Sequence, residues 1–356
     1  MARLMKLAWF VSLGIGILAL SRAAMGEGLT YASSVGSGHS SVVQDAELEP
    51  LKVKYRRAPL PGGVGPSAAR IELGRTLFFD PRLSRASSIS CASCHNPGFS
   101  WGDGLPRGVG FGSKSLGRRT PTVLNVGWGE AFFWDGRAET LEQQALGPIA
   151  APGEMNLPHD EMVKRLQGIA GYRPMFAAAF GDSNVTKEKV AQAIADFERT
   201  IVSTDAPFDR WLQGDKNAIS GSAKHGFALF NGKADCAKCH SGWRFTDDSF
   251  HDIGTLGDDE GRAKILPGLD SMNHAFKTPT LRDVARRAPY MHDVSEATLE
   301  QVVELYDKGG RIRRPNSIAT EIHPLSLTPQ DRADLVAFLL TLNSPSQAVP
   351  VPPLPR

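Results

Sequence analysis

Apolar residues recur at helical spacing along much of the chain. The clearest cases start at Ala69 and Ala223, where further apolar residues follow at steps of three or four. We predict a helix for each of five runs: Ala68–Phe79, Asp160–Leu166, Lys187–Val202, Ser222–Phe230 and Leu299–Tyr306. No alternating polar and apolar series marks a strand, and the glycine-rich stretch Leu105–Gly117 predicts a loop. The pattern therefore predicts a mainly α fold.

The two ends of the chain do not follow this pattern. Arg3 and Lys6 precede the apolar run Leu7–Leu20, and small residues follow that run. We predict a signal peptide over residues 1–24 and a periplasmic mature chain that is not bound to a membrane, with an uncleaved anchor as the alternative. Residues 25–60 predict a flexible leader, and residues 344–356, which contain five prolines, predict a Pro-rich tail.

The composition is that of a folded protein of ordinary charge. Hydrophobic residues make up 41% and charged residues 22% of the 356 positions, which excludes a wholly disordered chain. Lys and Arg number 40 against 38 Asp and Glu, a net charge of +2. This balance argues against nucleic acid as the main partner.

All four cysteines lie in two copies of one pentapeptide, Cys91-Ala-Ser-Cys94-His95 and Cys236-Ala-Lys-Cys239-His240. In an exported chain such cysteine pairs could form disulfides, redox dithiols or halves of a zinc site. The histidine directly after each second cysteine favours c-type haem attachment instead, in which both thiols bond to the haem and the histidine binds its iron. The sequence therefore predicts two covalent haems, with His95 and His240 as proximal iron ligands.

The two halves resemble each other beyond the haem motifs. Thr120-Pro-Thr-Val-Leu124 matches Thr278-Pro-Thr-Leu-Arg282 at an offset of 158 positions, and Asp135 matches Asp293 at the same offset. The same offset joins Thr140-Leu-Glu-Gln143 to Thr298-Leu-Glu-Gln301. A constant offset predicts a duplicated, haem-binding helical domain. We place the two copies at residues 61–205 and 206–343.

The repeat predicts that the two haems differ. Candidate second ligands for the iron in the second half are His251, Met272, His274, Met291, His292 and Tyr306. The first-half counterpart of Tyr306 is Pro148, which cannot bind iron, and no histidine lies between His95 and His159. If Tyr306 is a ligand, the first haem is open. The alternative is that Tyr306 packs on the buried face of a helix.

Polar residues near Pro148 are candidates for catalysis at an open haem. Gln144 and Glu154 lie on either side of it in the sequence. Glu154 could carry a proton between the two oxygens of a bound peroxide, or it could be a solvated loop carboxylate. Trp134 could relay electrons between two haems, or it could simply pack in the core.

These residues resemble the bacterial di-haem cytochrome c peroxidase family, and within it the MauG branch. The resemblance implies two cytochrome c-like domains with one haem each, and Trp134 between the haems. It implies Gln144, Pro148 and Glu154 over the peroxide-reactive haem, and Tyr306 as the distal ligand of the other. By this resemblance, the position of Tyr306 holds a methionine in the peroxidases and a tyrosine in MauG. The resemblance rests on Leu73–Ser84, both haem motifs, Thr120–Asn125, Phe133–Arg137, Gln144–Glu154 and Pro289–Asp293.

The MauG branch implies an oxidase that uses hydrogen peroxide, or O2 plus electrons, to oxidise residues of a partner protein. In MauG that partner is a methylamine dehydrogenase precursor, whose two tryptophans become the tryptophylquinone cofactor. One alternative is a peroxidase that reduces peroxide with electrons from a small redox protein, either a cytochrome or a cupredoxin. Another is a non-catalytic di-haem electron-transfer cytochrome. A phenolate ligand favours ferric and higher iron states, which argues against the peroxidase.

Two positions depart from the family pattern. The family binds calcium between the haems through an Asn just before the first Thr-Pro-Thr and through carbonyls near Arg287 and Pro289. Here Arg119 stands in place of that Asn, which leaves the calcium ion an open question. A tryptophan two residues before the second haem motif relays electrons in MauG. Here Ala234 stands there, and Trp243 is a candidate substitute.

Overall fold

A computed structural model describes residues 45–57, 65–203, 205–345 and 349–356. The described chain is mainly α-helical, as predicted, with two short antiparallel strands, β1 (Phe250–His251) and β2 (Phe276–Lys277). Its α-helices are α1 (Asp45–Lys52), α2 (Ala68–Phe79), α3 (Cys91–Cys94), α4 (Leu141–Ala150), α5 (His159–Gln167), α6 (Tyr172–Phe180), α7 (Lys187–Glu198), α8 (Pro207–Leu212), α9 (Gly221–Asn231), α10 (Leu299–Asp307) and α11 (Pro329–Leu340).

The predicted signal peptide, residues 1–24, lies outside the described residues. Within the described ranges, no helix is long and apolar enough to cross a membrane.

Local capping fixes where most of the longer helices begin. In α2, α4, α7, α9, α10 and α11, the residue before the first turn is a Ser or Thr whose hydroxyl accepts a backbone N–H of that turn. Each such cap satisfies a donor that would otherwise have no partner, and it stabilises the helix by about 1 kcal/mol. The caps are Ser67, Thr140, Thr186, Ser220, Thr298 and Thr328.

The five predicted helices are present, and one of them is shorter than predicted. Helix α7 ends at Glu198, four residues before Val202. The chain turns there because Thr200 and Ile201 donate to carbonyls three residues back, and the Ile201 carbonyl accepts the Asn125 N–H at 2.8 Å. Periodicity alone could not show this turn, since its partner lies 76 positions away in the sequence.

Each half is built around one very close crossing of two helices. In the first half α2 crosses α7 at Gly74, where a Cβ atom would lie 1.8 Å from the Ala193 carbonyl oxygen. In the second half α9 crosses α11 at Gly226, where a Cβ atom would lie 1.9 Å from the Asp334 carbonyl oxygen. Only glycine permits this backbone approach, so the two halves share the same packing constraint.

An aromatic triad lies beside each crossing. Phe78, Trp101 and Phe197 have ring centroids 5.3–6.1 Å apart in the first half. Phe230, Phe245 and Phe338 are 5.1–6.0 Å apart in the second. These are the tilted and edge-to-face distances typical of packed aromatic side chains. Each triad joins the two crossing helices to the loop that follows the haem motif.

The segments before and after the two predicted domains each pack on the half that is farther away in the sequence. Helix α1 lies within the predicted flexible leader, and that prediction is wrong for residues 45–57, because Leu48 and Tyr55 are buried in the second core. At the other end, the Arg356 carbonyl accepts the Gly171 N–H, and the Pro355 carbonyl accepts an N–H of Arg82 in the first half. Each end of the described chain therefore adds contacts between the two halves.

We predict that Gly226→Ala lowers the free energy of unfolding by about 1–3 kcal/mol, because the added methyl would overlap the Asp334 carbonyl oxygen. Thermal unfolding of the haem-loaded protein measures the effect. Gly221→Ala on the same helix is the matched control, since no atom lies within 4 Å of its added Cβ. It should leave the stability unchanged or raise it by up to about 1 kcal/mol. Equal midpoints for the two variants would contradict a tight crossing.

Candidate haem sites

One connected cavity of about 780 Å³ is lined by both Cys-x-x-Cys-His motifs. Its volume is in the range of cofactor sites. Every site residue predicted from the sequence lines it: Cys91, Cys94, His95, Trp134, Gln144, Pro148, Glu154, Cys236, Cys239, His240 and Tyr306. The fold thus brings together residues that are up to 215 positions apart in the sequence.

The thiols suit haem attachment better than the alternatives. All four cysteines are free of disulfides. Burial raises the pKa of the Cys94 thiol to about 11 and that of Cys236 to about 12, whereas redox dithiols and zinc thiolates need a lowered pKa. The one cluster of three potential metal ligands among the described residues contains Cys239 but no second cysteine. The four thiols therefore do not form a zinc site.

Both motif histidines are oriented for iron. His95 donates from Nδ1 to the Trp101 carbonyl at 3.3 Å, and His240 donates from Nδ1 to the Phe245 carbonyl at 2.9 Å. Burial lowers the pKa of both imidazoles, so each is neutral and its Nε2 carries a lone pair for a metal. The carbonyl acceptors belong to residues of the two aromatic triads, so the helix crossings position the two motif histidines.

Helices α4 and α10 are equivalent elements of the repeat. They begin 158 positions apart, at Leu141 and Leu299, behind threonine caps that accept the third residue's N–H in both cases. In each, a glutamine side chain accepts a backbone N–H from the segment before the helix. Pro148 and Tyr306 therefore occupy matching positions, and both line the cavity.

The other candidate ligands of the second iron are held elsewhere or lie off the cavity. His251 is bound to Asp247 at 2.8 Å, beside Cys239, and the hydrogen bond to Asp247 is the largest cause that raises the pKa of His251. His292 stacks on Phe276 with ring centroids 3.5 Å apart. Met272 and His274 do not line the cavity. Met291 and Tyr306 are the remaining candidates, and only Tyr306 lies on the helix equivalent to α4.

The first-half cavity carries polar side chains suited to proton transfer. Burial raises the pKa of the Glu154 carboxyl, and Arg137 partly opposes that rise. The Glu154 backbone is fixed, because its N–H donates to Ala151 and its carbonyl accepts from Phe111. Gln144 lines the same cavity from α4. Glu154 is thus a half-buried carboxyl in a fixed loop, and the solvated alternative is not supported.

Trp134 lies where the two halves meet. Its indole Nε1 donates to the Arg119 carbonyl at 2.8 Å, and its own carbonyl accepts the Lys277 N–H of β2 at 2.8 Å. The indole also packs edge-to-face on His292, with ring centroids 6.2 Å apart. Contacts to both halves fit the predicted position between two haems.

The residues at the possible calcium site do not fit a calcium ion. Calcium binds oxygen ligands, but the buried Arg119 guanidinium lies here and donates to the Arg287 carbonyl. The guanidinium of Arg287 is buried as well, and burial together with the nearby Arg119 charge lowers its pKa to about 10. Two buried positive groups repel a divalent cation.

Trp243 does not have favourable surroundings for an electron relay. It packs edge-to-face on Trp128 at 4.8 Å, and the guanidinium carbons of Arg57 and Arg282 lie 5.2 and 5.9 Å from its ring centroid. Nearby positive charge makes it harder to remove an electron from the indole. Ala234 is buried next to the second motif and leaves no redox-active side chain at that position.

Two duplicated helical halves and a cavity with two haem-attachment motifs define a di-haem protein of the cytochrome c type. Residues 68–217 match the family model of di-haem cytochrome c peroxidase, and residues 223–343 match that of cytochrome c. The chain belongs to the di-haem cytochrome c peroxidase/MauG family. It is therefore a di-haem oxidoreductase with two covalently bound haem c groups, and these predictions are confirmed.

The similarity extends over nearly the whole chain. The chain is 51% identical over 337 residues to methylamine utilization protein MauG of Methylorubrum extorquens, covering 92% of this chain and 95% of the relative. It is 36% identical to cytochrome c551 peroxidase of Nitrosomonas europaea, with 90% and 92% covered. A crystal structure of a MauG-like protein associated with microbial copper homeostasis has a TM-score of 0.74 at 32% identity, covering 82% of this chain and 95% of that chain.

We predict that a calcium chelator leaves the ferric absorption spectrum and the unfolding midpoint of the haem-loaded protein unchanged, because Arg119 supplies the positive charge at this position. Spectra and thermal unfolding with EDTA, and after calcium is added back, measure this. Arg119→Asn is the comparison variant, and its amide oxygen should introduce a response to calcium. A change in the unsubstituted protein that calcium reverses would contradict the prediction.

Proposed function

We propose that this chain is a periplasmic di-haem oxidase of the MauG type, which uses hydrogen peroxide, or O2 with electrons, to oxidise residues of a partner protein. The proposed partner is a methylamine dehydrogenase precursor, whose tryptophans become the tryptophylquinone cofactor. The observation that carries the proposal is the difference at one repeat position, Pro148 in α4 and Tyr306 in α10. The 51% identity to a MauG protein supports it.

Pro148 supports an open N-terminal site. Its side chain has no donor atom for iron, and Pro148 lies within α4 on the cavity lining. When bound there, the haem supplies an iron that can accept a peroxide oxygen. The α4 face therefore leaves room for a small oxidant while His95 holds the proximal side.

Glu154 and Gln144 supply the acid–base and positioning groups of this site. A carboxyl with a raised pKa is protonated more often near neutral pH than a solvated one, so Glu154 can give a proton as well as take one. We assign Glu154 the transfer of a proton to the departing peroxide oxygen. The Gln144 amide can orient the oxidant through hydrogen bonds from the same cavity wall.

Tyr306 supports a different task for the C-terminal site. It lies in the cavity near Cys236 and Cys239, and burial raises the pKa of its phenol. Tyr306 would hold the iron of the C-terminal haem through its phenol oxygen after loss of the phenol proton, and a phenolate ligand would favour ferric and higher states. A site of this kind can store an oxidising equivalent, whereas ready electron uptake from a donor needs a ligand that favours ferrous iron.

Trp134 supports joint oxidation of the two sites. Its indole lies on the wall shared by both halves and donates to a backbone carbonyl. A carbonyl oxygen at 2.8 Å from the indole nitrogen places negative partial charge where the ring would lose an electron. We therefore assign Trp134 the electron path between the two sites.

Tyr306→His tests the proposal. We expect the ferric wild-type protein to have one high-spin and one low-spin haem. The variant should keep both haems attached but form no tryptophylquinone when purified precursor and peroxide are added. Optical and electron paramagnetic resonance spectra measure the spin states, and quinone absorbance measures the product.

Two results would overturn this assignment. Two low-spin haems in the resting protein would exclude an open site. Rapid steady-state peroxide turnover with a reduced cytochrome or cupredoxin, without quinone formation, would favour the peroxidase alternative.

We predict that Glu154→Gln slows the reaction with peroxide by roughly 10²–10⁴-fold, the usual contribution of a general acid–base group. The amide keeps the size of the side chain but cannot transfer the proton. Stopped-flow absorption of the ferric protein mixed with peroxide gives the rate. Glu139→Gln, at an exposed position before α4, is the control and should react at the wild-type rate. A wild-type rate for Glu154→Gln would remove this residue from the mechanism.

A further inference from the structure

A second carboxyl, not identified from the sequence, lines the N-terminal part of the cavity. Glu198 is the last residue of α7, and only 3% of its surface is exposed. It lines the cavity together with Leu141 and Ala145 of α4 and with His95. Its Oε2 has no hydrogen-bond partner among the described residues. A buried carboxyl oxygen without a partner is costly, so its presence needs a reason other than packing.

The charges around Glu198 do not neutralise it. The neighbouring Arg199 binds Glu142 of α4 at 2.7 Å and Asp196 at 3.0 Å, and Asp196 also binds Arg70 of α2 at 2.9 Å. The Cys91 sulfur of α3 also lies near Glu198, and haem attachment makes it an uncharged thioether. The other carboxyl that lines this part of the cavity is Glu154. The cation closest in sequence is therefore shared by two other carboxylates. Burial raises the pKa of Glu198 to about 8, with Arg199 lowering it and Glu142 raising it.

The repeat shows that this carboxyl is particular to the N-terminal half. Phe197 and Phe338 hold equivalent places in the two aromatic triads, on α7 and α11. The residue after each therefore corresponds, and Glu198 is matched by Leu339. Both line the cavity, and Leu339 is 7% exposed. The same backbone position thus carries a proton-binding group in one half and an apolar side chain in the other.

We propose that Glu198 binds the proton that accompanies one-electron reduction of the N-terminal haem. The iron takes one electron from a one-electron donor and passes from ferric to ferrous. The Glu198 carboxylate takes one proton from water and becomes a neutral carboxylic acid. The added negative charge of the electron is thereby cancelled inside a cavity where charge is poorly solvated. Reoxidation returns the electron and releases the proton.

The sign of the effect follows from this coupling. Reduction raises the pKa of Glu198, because the added electron favours the neutral acid. Between the ferric-state and ferrous-state pKa values, reduction takes up a proton, so the reduction potential falls as the pH rises. Below both values the group is neutral in both forms, above both values it is charged in both forms, and in either case the potential does not depend on pH through this group. In the coupled range each pH unit changes the reduction equilibrium about tenfold, which corresponds to 59 mV for one electron.

The inference needs a haem in the N-terminal cavity but not the proposed protein substrate, so the two can fail separately. The experiment is a spectroelectrochemical titration of the haem-loaded protein over about pH 6.5–9.5, with the N-terminal haem followed by its own absorption bands. We expect its midpoint potential to fall with pH near 8 in the wild type. In Glu198→Gln the potential should be nearly constant over that range.

Two further variants make the result specific. Glu198→Leu introduces the residue of the sister half, and it should give the same flat profile if the amide variant folds poorly. Glu188→Gln, at an exposed position on the same helix, should keep the wild-type slope. A pH-independent wild-type potential, or a wild-type slope in both Glu198 variants, would overturn the proposal.

Discussion

The position of each haem-motif histidine depends on one close contact between two helix backbones. Gly74 lies against the Ala193 carbonyl, and Gly226 lies against the Asp334 carbonyl. This contact brings a phenylalanine from each helix against the aromatic residue that follows the haem motif. The carbonyl of that residue then accepts the imidazole N–H, which fixes the neutral tautomer and the ring direction. A larger residue at the crossing would therefore disturb iron coordination as well as packing.

The shared scaffold allows the two halves to differ at single positions. Pro148 and Tyr306 follow equivalent caps, and Glu198 and Leu339 follow equivalent aromatic residues. The N-terminal half thus has a proline and a buried carboxyl at these two positions, whereas the C-terminal half has a phenol and an apolar side chain. Because the backbone elements are the same, this specialisation needed no change of fold. This difference agrees with the roles proposed above, an open and proton-binding site in one half and a charge-storing ligand in the other.

The sequence predicted those features that arise from local spacing. The haem motifs and the repeat offset are both short patterns, so they predicted the motif histidines and the pair Pro148 and Tyr306. The packing of residues 45–57 on the second core depends on contacts such as that of Tyr55 with Asn231, 176 positions away. No local pattern marks such a contact. Glu198 was not identified, because it was predicted to lie inside a helix that continues to Val202. An alignment of Phe197 with Phe338 would have paired Glu198 with Leu339 and shown the difference between the halves.

Arg119 is one of the residues that join the two halves. Its N–H donates to the His292 carbonyl, its own carbonyl accepts the Trp134 indole, and its guanidinium donates to the Arg287 carbonyl. A bound metal ion at this place would exchange with the solution, so the geometry would depend on the ion concentration. A covalently attached cation does not exchange. The alignment of Trp134 with both halves is therefore built into the chain, and an electron path through this indole would keep the same hydrogen bond whatever divalent cations the surroundings contain.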